Sequence, residues 1–152
     1  MSTKIPGIIV LTHGTMGKEL IASAEMIFGP IDNVFDVPLF PGQTPEEYLA
    51  VVKRILEKQR SKAILLVDLF GGTPSNCSAS LCSQYDVEVI SGVNLPMLVE
   101  ALQARGVVTG QELRQQIVDA GRDGIRDVID EVSQVEVRLS DAADESIRRG
   151  DD

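Results

Sequence analysis

The strongest constraint in this sequence is a rhythm: short, continuous apolar runs alternate with longer amphipathic stretches. Ile8-Ile9-Val10-Leu11 and Ala63-Ile64-Leu65-Leu66-Val67 contain no polar residue. A strand with one wet face alternates apolar and polar residues, so such runs suit strands covered on both faces. Between them the spacing is helical. Met16, Leu20, Ala24, Ile27 and Phe28 form one stripe, stopped by Gly29-Pro30. Tyr48, Val52 and Ile55, with Leu49 and Leu56, form another down to about Gln59. Thr44-Pro45-Glu46-Glu47 reads as a helix start, with Thr44 to cap, Pro45 at the first helical position and Glu47 to complete a capping box.

Further strands are expected at Val34–Leu39 and Val87–Ile90, and Pro38 points the first of these to an edge or to an early end. Further helices are expected over Ser75–Gln84, Asn94–Ala104 and Thr109–Asp130, the last with a capping box of its own (Thr109, Glu112). Repeated β-α units imply an α/β fold. The expectation is a doubly wound, mostly parallel sheet in the order 2-1-3-4 with helices on both faces. Near the end, Val135, Val137 and Leu139 alternate with Glu136 and Arg138, a period-two pattern. It suggests a C-terminal antiparallel edge strand over 132–139, with 1–131 as the main domain and 140–152 as a polar tail.

Charge and composition exclude several functions. The 152 residues suit one domain. Fourteen basic against 23 acidic residues give a net charge of −9, which argues against nucleic-acid or anionic-membrane partners. A single His excludes a His-rich metal cage. Cys77 and Cys82 form no CxxC pattern and read as free thiols in a reducing compartment. The N-terminus shows no signal peptide, and no apolar run approaches the ~20 residues of a membrane span. The expected location is the cytoplasm.

In open parallel sheets, ligands bind beyond the carboxyl ends of the strands, where neighbouring crossovers leave to opposite faces. In the order 2-1-3-4 that point lies between strand one, ending at Thr12-His13-Gly14, and strand three, ending at Asp68. A neutral imidazole at a strand end is a competent nucleophile, and a carboxylate on its other nitrogen would fix its tautomer. A surface histidine and a loop or capping aspartate are the plain alternatives. Gly71-Gly72-Thr73-Pro74-Ser75-Asn76 follows, where two glycines, two hydroxyls and a helix start could cradle an anion. An ordinary tight turn would look similar. Thr12 and Thr15 flank His13 and could donate hydrogen bonds or cap the first helix. No GxxxxGK[ST], GxGxxG or GxSxG motif is present. His, Asp and an anion cradle together suggest a phosphohistidine intermediate.

These residues resemble the mannose-type IIA component of the bacterial sugar phosphotransferase system. The likeness runs from about residue 5 to 130. It is carried by Ile8–Gly14, Ala24-Glu25-Met26, Leu66–Asn76, Ser91–Glu100 and Gly121-Arg122, and most specifically by Asp68-x-x-Gly71-Gly72-Thr73-Pro74-x-Asn76 and Gly92-Val93-Asn94-Leu95-Pro96-Met97. The same motifs favour this group over the related dihydroxyacetone-phosphorylating proteins. The resemblance implies that His13 takes a phosphoryl group from the phosphocarrier HPr and passes it to a separate IIB subunit for sugar uptake, with Asp68 orienting the ring. It implies that Phe70, Gly72 and Thr73 line the phosphoryl site, where Thr12, Gly14, Gly71 and Ser75 join the expected set. It implies no metal and no other cofactor, a homodimer that exchanges its edge strand, and association with membrane IIC and IID subunits. A regulatory phosphoprotein, whose His13 state controls a partner, would use the same chemistry. A plain α/β binding module would use none of it. Thr15-Met16-Gly17 departs from the small alanine often found a few residues after His-Gly in the group.

Overall fold

The computed structural model describes residues 5–59 and 61–150. The segment 1–4, which opens the N-terminus read for a signal peptide, lies outside the described residues, as do 60 and the last two residues of the expected tail. The elements are β1 (Gly7–His13), α1 (Met16–Phe28), β2 (Val34–Leu39), α2 (Pro45–Gln59), β3 (Ala63–Val67), α3 (Thr73–Leu81), β4 (Val87–Ser91), α4 (Leu95–Ala104), α5 (Gly110–Asp123) and α6 (Val128–Arg149). The sheet has the order β2-β1-β3-β4, and every pairing is parallel. The expected order therefore stands, and Pro38 does sit on an edge strand.

Both apolar runs are covered on both faces. Ile8, Val10, Ile64 and Leu66 face one layer, with Ala24 of α1, Leu98 of α4 and Leu113 and Ile117 of α5. Ile9, Leu11, Leu65 and Val67 face the other, with Tyr48, Val52 and Leu56 of α2 and Cys77 and Leu81 of α3. Each fully buried aliphatic side chain contributes roughly 1.5–3 kcal/mol of transfer free energy, so these two strands anchor the core. The capping box at α2 forms as read: Glu47 N–H donates to Thr44 Oγ1 (3.2 Å), and Thr44 N–H donates to Glu47 Oε2 (2.9 Å).

The far end departs from expectation. The helix placed over Thr109–Asp130 ends at Asp123, and a new helix begins at Val128. Gly124 interrupts the run, and Asp127 then caps: its Oδ1 accepts from Ile129 N–H (2.9 Å) and Asp130 N–H (3.2 Å). The expected strand over 132–139 and the polar tail beyond it are instead one helix reaching Arg149. The period-two window was too short to decide. Val128, Val132, Val135 and Leu139 recur at steps of four and three, which is helical spacing, while Ile129 and Val137 lie off that stripe. The chain divides into two compact units, 1–122 and 123–152. No helix among the described residues is long and apolar enough to cross a membrane.

Candidate active site

α1 packs on one face of the sheet and α3 on the other, so the crossovers diverge between β1 and β3. His13 is the last residue of β1 and Asp68 directly follows β3. Asp68 N–H continues the ladder to Leu11 O (3.2 Å), which brings its side chain level with His13. One carboxylate oxygen, Oδ2, takes both His13 groups: the backbone N–H at 2.8 Å and Nδ1 at 2.9 Å. The other, Oδ1, accepts from Leu69 N–H at 2.8 Å. Partial burial raises the Asp68 pKa, but the His13 backbone N–H, the His13 ring and the Leu69 N–H outweigh it and hold the carboxyl below its ordinary value. Asp68 is thus a carboxylate, and the proton between it and the ring belongs on Nδ1. That tautomer leaves the Nε2 lone pair free, on a side chain that is 50% exposed.

Gly72 lies against the ring. A Cβ placed there would stand 3.1 Å from His13 Cε1 and 3.6 Å from Nε2. Gly72 is also the N-cap of α3, and no side chain caps this helix. The first intrahelical bond runs from Asn76 N–H to Gly72 O (3.0 Å). The N–H groups of Thr73 and Ser75 lie ahead of it, in the first turn where a helix has no internal acceptor, while Pro74 has no N–H to offer. The positive end of α3 therefore opens beside Nε2, with the Thr73 and Ser75 side chains half-buried around it. Gly71 turns the chain into this position with φ of 86°, a value that favours glycine.

The remaining expected residues divide. Phe70 stands out from the surface, 85% exposed. Gly14, at φ 59°, donates its N–H to Leu39 O (2.8 Å), so that donor is already used in joining the site to β2. Thr12 is fully buried, and its Oγ1 accepts from Gly17 N–H (2.9 Å). Thr12 points away from the open crevice because adjacent strand residues face opposite sides, and His13 has the other side. The Thr12 hydroxyl is therefore engaged with the first turn of α1.

Two features escaped the sequence reading. A cavity of about 390 Å³ beside the imidazole is lined by His13, Gly14, Leu39, Phe40 and Pro41. The order 2-1-3-4 already implies it, since the loop after β2 must border the end of β1. The second is Asp36, whose buried Oδ1 has no hydrogen-bond partner among the described residues. Burial raises its pKa, and Lys18 opposes that. A Cβ on Gly17 would run into this oxygen, which accounts for glycine where the resemblance suggests a small side chain nearby. Among the described residues, no three His, Cys, Asp or Glu side chains group as a metal site.

A family model described as PTS system fructose IIA component (EIIA-man) matches residues 7–118. The chain belongs to this family. The mannose-specific EIIAB component of Escherichia coli K12 is 37% identical over 123 residues, which is 78% of this chain and 38% of that relative. The chain thus spans well under half the length of the EIIAB relatives it matches. The fructose-specific EIIA component of Bacillus subtilis is 38% identical over 103 residues, 64% of this chain and 69% of that one. Among solved structures, the mannose/sorbose-specific IIA subunit from Enterococcus faecalis superposes with a TM-score of 0.76 at 28% identity, covering 82% of this chain and 95% of its own. The mannose-type resemblance read from the sequence is therefore shown. The IIA match contains His13, Asp68 and the whole Gly71–Ser75 loop and stops inside α5, leaving α6 outside it.

Proposed function

We propose that this IIA component carries a phosphoryl group on His13 Nε2, taking it from the phosphocarrier HPr and handing it to a IIB subunit in sugar uptake. The single observation that carries the reading is the 2.9 Å contact from Nδ1 to a carboxylate that is held ionised, which leaves Nε2 free beside an uncapped helix start. In the first step the Nε2 lone pair attacks the phosphorus of the donor's phosphohistidine. The donor's P–N bond breaks, and its electron pair returns to the donor imidazole. His13 becomes a phosphorylated ring with its proton still on Nδ1, and Asp68 balances the charge that appears there. The Thr73 and Ser75 N–H groups at the start of α3, and the two hydroxyls nearby, meet the phosphoryl oxygens as negative charge shifts onto them. The second step reverses the first toward the IIB acceptor. Positioning and electrostatics supply the catalysis, with no bond to make other than P–N.

On this reading Phe70 and the Phe40 side of the cavity border the approach of both partners, and the protein works in the cytoplasm beside its membrane IIC and IID subunits. The test is phosphorylation with phosphoenolpyruvate, Enzyme I and HPr. Wild type is expected to take an acid-labile, alkali-stable label, and His13→Ala to take none. Label persisting in a folded His13→Ala chain would overturn the assignment.

A further inference from the structure

The chain is acidic overall, yet its cations are not evenly spread. Residues 53–62 hold five of the 14 basic residues, Lys53, Arg54, Lys58, Arg60 and Lys62, against one acid, Glu57. Two of these charges are committed elsewhere. Lys62 Nζ pairs with Asp86 (3.3 Å), and Glu57 Oε1 accepts from the Tyr85 hydroxyl (3.5 Å), beyond the end of α3. Arg54 and Lys58 lie one turn apart on the exposed side of α2, with no ion-pair partner among the described residues.

Both stand at the mouth of a cavity of about 310 Å³ between α2 and the edge strand β2. Its other walls are Phe35, Val51, Ile55 and Gln59. Phe35, Val51 and Ile55 are half-buried and leave an apolar lining open to the cavity. Gln59 is 9% exposed and puts a buried carboxamide in the wall. An apolar lining with few polar groups is the composition of a small-molecule site, here at the lower end of the ~300–1,000 Å³ that such sites span. The two cations select the sign of the ligand's head. An anionic membrane is a poorer match, since two cations attract such a surface weakly and the net charge of −9 opposes it.

We propose that the α2–β2 groove binds a small amphipathic carboxylate. Its alkyl or aryl body lies on Phe35, Val51 and Ile55, and its carboxylate meets Arg54 and Lys58. Phe35 pairs with Ile9 and Leu39 pairs with His13, so the groove lies four residues down β2 from the imidazole, roughly 13 Å. Binding there needs no phosphotransfer, and a chain that binds without accepting label would fail only the earlier reading.

The test is an NMR titration of the isotope-labelled full chain with sodium octanoate. Saturable amide shifts are expected around Phe35, Val51 and Ile55, with a dissociation constant of about 1 mM or below. Acetate, the head alone, and octanol, the body alone, should leave these amides in place at the same concentrations. Arg54→Ala combined with Lys58→Ala should weaken octanoate about tenfold and keep the thermal transition close to wild type. His13→Ala should bind octanoate as wild type does. A flat titration up to about 20 mM overturns the proposal. So do equal shifts from octanol, full affinity in the double variant, or shifts centred on Leu39 and Phe40 beside His13. Pelleting with phosphatidylglycerol vesicles that requires Arg54 and Lys58, and that octanoate does not reverse, would assign the groove to a membrane and overturn it too.

Discussion

Two helices begin at the mouth of the crevice, α1 after β1 and α3 after β3, and they treat their first-turn donors differently. At α1 the buried Thr12 hydroxyl takes the Gly17 N–H, and Gly14 N–H is committed to Leu39 O. At α3 the N-cap is Gly72, which has no side chain to offer, and Pro74 removes one donor from the turn. One helix start is closed and structural. The other is open and lies against the imidazole. The same protein therefore shows that a threonine-flanked histidine and a glycine-rich loop can have opposite uses: the hydroxyl next to the histidine serves the fold, and the loop that lacks a cap is free for a ligand.

The largest expected effect sharpens that contrast at Gly72. Gly72→Ala puts a methyl 3.1 Å from His13 Cε1, so the ring must swing away from Asp68 or from the helix start. Phosphoryl transfer, followed by rapid-quench labelling from HPr, should fall about 100-fold, with the thermal transition close to wild type because Gly72 has an ordinary φ of −80°. A rate within twofold of wild type would mean that the ring position does not matter.

Asp68→Asn comes next. It keeps an acceptor for the His13 backbone N–H but removes the charge that stabilises the phosphorylated ring, and transfer should fall about tenfold. It also carries a pH signature. Because the folded carboxyl titrates below its ordinary value, its stabilisation is fully present above the unfolded value and is lost as pH falls through the lower folded one. Urea titrations below about pH 4 should therefore show a shallower acid loss of stability in Asp68→Asn than in wild type. Parallel acid limbs would show that His13 and Leu69 do not hold the carboxylate in solution.

At the closed helix the effect should move from rate to stability. Thr12→Val keeps the branched shape and removes the acceptor for Gly17 N–H, costing about 1 kcal/mol by chemical denaturation while leaving transfer within twofold. A large loss of transfer without loss of stability would place Thr12 in the phosphoryl site. The smallest effect is expected from Thr73→Ala. The backbone donor remains and only a hydroxyl is lost, so transfer should fall by roughly threefold, about 0.7 kcal/mol.

Sequence carried the fold a long way where burial leaves one choice. Ala63–Val67 matches its strand residue for residue, because a strand covered on both faces has no room for a polar residue. The Thr44–Glu47 box was legible because its chemistry is local. His13 and Asp68 could be brought together only through the strand order, and their shared oxygen could not be read at all, since 55 residues separate them. The failures lie where neither burial nor capping decides. Val135, Val137 and Leu139 fit a strand over five residues and a helix over twenty, and the Asp127 cap, which selects the helix, lies outside the short window. The direction of the Thr12 side chain is not legible for a different reason: which of Thr12 and His13 faces the crevice depends on the pleat, and the pleat is fixed only by the neighbours.

Arg105 supplies that reference from the opposite end of the strands. Its buried guanidinium donates to Pro6 O and Asn33 O (3.3 Å each) and to Asp32 O (2.9 Å), so one side chain at the end of α4 clasps the entries of both β1 and β2. Slippage of β1 by one residue against this clasp would exchange its two faces along the whole strand. The imidazole would then turn inward to the place of Thr12, and the threonine would look out at the crevice. In that sense the handedness of the chemistry is set where the strands enter the sheet, a full strand length from the atom that reacts.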